Sequence, residues 1–161
     1  MSDLVFVNAS PLIGLLAIGR EGLLPALFSK ILVPMAVREE ILAGAAKDSN
    51  AERLGDCDWA VSPPDETMPE TVLAWGLGRG ESSVLAMAHR LGAMAILDDL
   101  AARRCARFLD VPLCGTGRIL VLAKDRGLIQ SVANECRSLR ASGFRLSDRL
   151  IARLLSDAGE A

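Results

Sequence analysis

The sequence predicts an α/β fold of three layers, with a central parallel sheet covered by helices on both faces. Three observations lead there. Short, unbroken apolar runs recur along the chain, as strands buried on both faces require. Longer segments with helical periodicity separate them, and this alternation is the pattern of parallel-sheet domains. The runs end in polar residues (Asn8, Asp98, Asp99 and Thr116), where an open parallel sheet places its ligand site.

The first strand is Leu4–Val7, ending at Asn8. Ser10 and Pro11 then read as the cap and first residue of a helix, since serine caps well and proline has no N–H to lose. Leu12, Ile13, Leu15, Leu16 and Ile18 make that helix apolar nearly all round, so it is expected to be buried. Residues Ile31–Val33 form a second strand, and Pro34 opens a helix through about Leu42. Lys47–Leu54 reads as a further helix and Trp59–Val61 as a weak strand, followed by a loop carrying Pro63, Pro64 and Pro69. The glycine-rich segment Gly76–Gly80 leads into a helix from Glu81 to about Leu91, then the strand Ala93–Leu97 and a helix from Leu100 to Leu109. Val111–Cys114 is the last strand, and a helix starts at Gly115 and runs to Lys124. Amphipathic helices near Ser131–Arg140 and Ser147–Ser156 complete the pattern, with no repeat or linker, so residues 1–161 read as one domain.

Composition narrows the function. The 161 residues are 51% hydrophobic with 4% aromatics and no Tyr, so aliphatic side chains must fill the core. A net charge of −2 leaves no general footprint for nucleic acid, and any such contact has to come from a local basic face. Cys57, Cys105, Cys114 and Cys136 lack zinc-like spacing and read as reduced structural thiols of a cytoplasmic protein. Asp3 and Asn8 interrupt any leader-like start, and the apolar stretches are broken well before the ~20 residues a membrane span needs.

The chemistry-bearing candidates are mostly carboxylates. Asp98 and Asp99 follow a buried strand directly, where two like charges repel and a divalent cation would relieve them. Equally, one of them could cap the helix at Leu100. Glu81 shares a helix face with Val84, Leu85 and Ala88, which demands a partner, or else it is a first-turn acid favoured by the helix dipole. Glu40 lies nearer the apolar face of its helix than Glu39 does, yet an ordinary solvated acid would look the same. Arg103, Arg104 and Arg107 form a basic cluster after the paired aspartates, either solvated or set to meet RNA phosphates. The spacing of Gly76, Gly78 and Gly80 suggests a phosphate loop only superficially, and His89 has no nucleophile beside it.

Taken together, VFVNASPLIGLLAIG, ILVPMAVREEI, GLGRGESSVLAMA, AILDDLAARRCA and LCGTGRILVLAKDRGLI resemble the PIN-like proteins, in a branch related to VapC-type toxins. The resemblance spans about Val5 to Asp148 and rests on the order and spacing of the segments. It implies a PIN-like three-layer fold and a pocket of acids holding Mg²⁺ or Mn²⁺. Asn8 matches the first-strand acid of the family, Glu40 the acid of the second helix, Glu81 the acid opening the central helix, and Asp98 and Asp99 those after the next strand. Ser10 and Thr116 match the hydroxyl residues beside the pocket. The resemblance further implies a ribonuclease acting on single-stranded RNA, with Glu40, Glu81, Asp98 and Asp99 catalytic and Asn8, Glu81, Asp98 and Asp99 on the metal. Arg103 and Arg104 would meet phosphate, and a small antitoxin protein would be the partner. A homodimer is compatible with the apolar helices. Asn8 departs from the full acidic set: it keeps an oxygen ligand but removes a charge, so a catalytically weak RNA- or protein-binding module is the alternative. An unrelated α/β phosphohydrolase fits less well, for want of an acidic nucleophile after the first strand.

Overall fold

The structure is a computed structural model and describes residues 3–161. Five strands, β1 (Leu4–Val7), β2 (Lys30–Leu32), β3 (Ala60–Val61), β4 (Met94–Ile96) and β5 (Leu113–Cys114), form one sheet in the order β3-β2-β1-β4-β5. Every pairing is parallel, with Val5 beside both Ile31 and Met94 and Val7 beside Ile96. The strands are short but wholly apolar at the centre: Val5, Phe6, Val7, Ala95 and Ile96 are fully buried. The chain steps from β1 towards β3 on one side and from β4 to β5 on the other. The reversal therefore falls between β1 and β4, where a crevice opens at the carboxyl ends.

Nine α-helices flank the sheet among the described residues: α1 (Ala9–Ala17), α2 (Leu23–Leu27), α3 (Met35–Ala43), α4 (Glu70–Leu73), α5 (Arg79–Leu91), α6 (Leu100–Phe108), α7 (Thr116–Asp125), α8 (Val132–Ala141) and α9 (Asp148–Asp157). Helices α3, α5 and α6 pack side by side, α5 lying on β1 and β4, while α1, α2, α7, α8 and α9 pack together. Contacts of α1 with α3 draw the two groups together beside the crevice. Among the described residues, no helix is long and apolar enough to cross a membrane.

Several local expectations shift. Ser10 does not cap α1: the helix already starts at Ala9, with Asn8 in the capping position and the Asn8 carbonyl accepting from Leu12 N–H at 3.4 Å. Pro11 is tolerated two positions further in, as the third helical residue, because the first four helix N–H groups have no intrahelical partner anyway. The 47–54 segment is a 3-10 helix, Ser49–Asp56, capped by Asp48 on Asn50 N–H. Two short helices, α2 and α4, lie outside the sequence-predicted pattern, being too short to show a helical period. α5 begins at Arg79, two residues before Glu81. The four cysteines are free and buried, and burial pushes each thiol up, Cys114 to about 11. His89 is tied by Nδ1 to the Leu109 carbonyl at 3.1 Å, which makes it a link between α5 and the end of α6.

Candidate functional site

A pocket of about 850 Å³ opens at the crevice between β1 and β4. Asn8, Ser10, Glu40, Glu81, Asp98 and Asp99 all line it, so six of the sequence-derived candidates meet in one cavity. Thr116 stands behind it, fully buried. Arg103 and Arg104 are not part of the lining.

The carboxylates arrive there because helices begin there. Starts of α1, α5 and α6 reach the crevice and that of α7 meets it through Asp98, each with N–H groups that have no partner within the helix and the positive end of its dipole. Asp99 is the N-cap of α6 and accepts from Ala102 N–H at 2.9 Å. Glu81, in the first turn of α5, accepts from Gly78 N–H at 3.3 Å. Asp98 is held by the start of α7: Oδ1 accepts from Thr116 N–H at 2.9 Å and Oδ2 from the Thr116 hydroxyl at 2.6 Å. Arg103 folds over the same place, donating to the Leu97 carbonyl at 3.3 Å and lowering the electrostatic cost of Asp98. Each of these three acids thus has a structural occupation, and the helix-capping alternative is correct for Asp99.

Two groups lack that explanation. Asn8 is 4% exposed, and its Oδ1 is buried with no hydrogen-bond partner. A buried, unsatisfied amide oxygen costs on the order of 1–3 kcal/mol, so something outside the protein is expected to meet it. Glu40 projects from α3 onto the same spot. A Cβ placed on Gly80 would lie 2.8 Å from Glu40 Oε2 and 3.6 Å from Asn8 Oδ1. Only glycine at position 80 leaves that space open, which gives this part of the glycine-rich segment a packing reason unrelated to a phosphate loop.

Electrostatics agree with an unmet demand for positive charge. The Glu81 carboxyl is pushed above its usual range, first by burial, then by the nearby charges of Asp99 and Glu40, against the pull of Gly78 N–H. Burial also raises Asp98, although Thr116 and Arg103 pull it down. An all-oxygen donor set with an orphaned amide oxygen fits a hard cation that keeps several waters and takes one or two carboxylates directly. It does not fit a closed carboxylate cage: among the described residues, no three His, Cys, Asp or Glu side chains cluster closely enough to enclose an ion.

Other parts of the lining carry no sequence signal. Lys47, Asp48 and Asn50 enter from the start of the 3-10 helix, and Ser142, Gly143, Phe144 and Arg145 from the turn between α8 and α9. Nothing local marks these residues as belonging to the sheet end, because the packing of distant helices on α1 brings them there. Arg104 is exposed on α6 and, like Arg103 and Arg107, is in no ion pair with an acid among the described residues.

A family profile described as "PIN domain" matches residues 4–160. No curated protein matches the chain.

Proposed function

The chain belongs to the PIN-domain family, whose fold is nuclease-like, and from that premise we propose that it is a divalent-metal-dependent endonuclease of single-stranded RNA. The observation that carries this reading is the buried, unpartnered Asn8 Oδ1 facing Glu40 across the open space above Gly80. Asn8, Glu40, Glu81 and Asp99 would hold Mg²⁺ or Mn²⁺, mostly through its waters, while Asp98 and Thr116 fix the floor. When bound, such an ion would supply positive charge at a scissile phosphate and ease loss of the proton by which a water becomes the attacking hydroxide. Glu81 Oε2 is engaged by Gly78 N–H, so Oε1 is the oxygen left to hold or pass a proton. Asp99 carries its charge at the mouth on a backbone-anchored carboxylate, which orients without moving. By family resemblance we place this activity in the toxin-like half of a bacterial pair restrained by a small antitoxin.

Asp99→Asn is the sharpest test, because asparagine caps a helix as well as aspartate does. With unstructured RNA in Mg²⁺ or Mn²⁺, the wild type is expected to cleave and Asp99→Asn to lose at least about tenfold in rate, at an unchanged melting temperature. Cleavage undiminished in the variant would overturn the assignment of this pocket.

A second reading is favoured by one observation. The acids do not form a three-carboxylate cluster, and the position nearest the orphaned site is an uncharged asparagine. A pocket so arranged suits RNA retention without hydrolysis. Salt-sensitive RNA binding without cleavage in either metal would select it.

A further inference from the structure

Glu40, Glu81, Asp98 and Asp99 belong to the end of the pocket nearest Asn8. Gly14 lies on α1 about 9 Å beyond Asn8 at the usual helical rise, and the lining there changes character. Phe144 packs over Gly14, so closely that a Cβ at position 14 would meet Phe144 Cδ2 at 2.7 Å and Cε2 at 2.9 Å. The ring is partly buried against the core, and its remaining surface lines the pocket. Lys47 and Arg145 line the same pocket, both exposed and neither in an ion pair among the described residues. The acid in this part, Asp48, is engaged as the cap of the 3-10 helix.

We propose that this wall is a seat for one unpaired nucleobase, which stacks on Phe144 while Lys47 and Arg145 hold the adjoining phosphates. The inference rests on the nuclease reading and specifies its substrate: a strand whose base can be splayed out, not a duplex. Three arguments support it. An aromatic ring and two unpaired cations lining one cavity is the combination that binds single strands without sequence preference. Bases in an A-form duplex are stacked and inaccessible to such a ring. A cavity of about 850 Å³ has room for a nucleotide as well as the hydrated acidic end. The arrangement also separates tasks: the basic wall draws the negatively charged strand in, and the acids are left to the cation and the reacting phosphate. Gly14 acts as a positioning residue, since it alone lets the ring lie against α1.

The test measures retention of a fluorescent, unstructured RNA in a Glu81→Gln background that suppresses cleavage. Phe144→Ala is expected to weaken binding about tenfold, within the loss usual for one stacked base. Phe144→Leu, which preserves core volume, should show most of that loss, and Gly14→Ala should reproduce it by displacing the ring. An oligonucleotide of abasic sites should bind the background protein and its Phe144→Ala variant alike. Lys47→Ala and Arg145→Ala should each reduce the slope of log affinity against log salt by roughly 0.7. Unchanged affinity in both folded Phe144 variants overturns the base seat and leaves the nuclease reading standing. Failure of the background protein to retain RNA, together with no cleavage by the wild type, overturns both; failure to retain it beside wild-type cleavage overturns the base seat alone.

Discussion

Two glutamates sit at the start of helices and face opposite fates. Glu160 reaches from beyond α9 to the start of α8 and accepts from Val132 N–H at 2.6 Å, Ala133 N–H at 3.0 Å, the Ser131 hydroxyl at 3.3 Å and Lys124 Nζ at 2.8 Å. Those partners, Lys124 foremost, pull its carboxyl down to about 2. Glu81 reaches the start of α5, accepts from one backbone N–H, faces Asp99 and Glu40, and is pushed up. The same residue type beside the same kind of helix end is satisfied in one place and left wanting in the other. A carboxylate used for the fold gathers cations and N–H groups. Under the proposed function, Glu81 is held for a cation and is kept short of such partners, and the fold bears the cost. Strain of this sort is where a functional site is expected.

The widest gap should appear in stability. Glu160→Ala removes a charge-assisted bond and leaves Lys124 and two N–H groups of α8 without their partner, so a loss of about 2 kcal/mol is expected in urea unfolding. Its pH dependence follows from the lowered carboxyl. The stabilisation is complete above the ordinary value of 4.5 and is lost as pH falls towards about 2, so wild type and variant should converge in acid. A penalty that stayed constant from pH 7 to pH 2 would show that packing, not charge, holds this corner.

Asp98 lies between the two extremes, and it explains how much of the site could be read from the chain. The strand ends, the acidic pair and the parallel order were legible because apolar runs of strand length and their polar ends are local signals. Gathering Asn8, Glu40, Glu81, Asp98 and Asp99 in one pocket follows from topology once the strands are placed. That Asp98 is occupied by Thr116, 18 residues further along the chain, is decided by the pairing of β4 with β5 and was visible only as a shared resemblance. The wall of Lys47, Phe144 and Arg145 was not legible at all, since it depends on α8 and α9 docking near α1. Ser10 misled for a local reason: Ser-Pro reads as a cap, but Asn8 already serves as the boundary.

Thr116→Val tests that middle case. The hydroxyl is buried and its removal leaves Asp98 Oδ2 without its 2.6 Å donor, at a cost of about 1–2 kcal/mol. The loss should be smaller than for Glu160→Ala because Thr116 N–H still serves Oδ1. An equal or larger loss would place Asp98 with the structural carboxylates and take it out of the chemistry.

The smallest effect should have the opposite sign. Glu81 is raised by burial and by Asp99 and Glu40, so its ionised form works against the fold. For a carboxyl raised in the folded state, the favourable contribution is complete below the ordinary 4.5 and is lost as pH climbs through the raised value. Glu81→Gln should therefore stabilise the metal-free protein at pH 7, by no more than about 1 kcal/mol because the group is only half-buried, and should lose that advantage near pH 4. Adding Mg²⁺ should reverse the order: a cation bound to the folded state alone raises the wild-type melting temperature by mass action and does less for the variant. If Glu81→Gln instead destabilises the metal-free protein at neutral pH, its bond to Gly78 outweighs the repulsion. Glu81 would then belong with Glu160, and the contrast between the two helix starts would be one of degree.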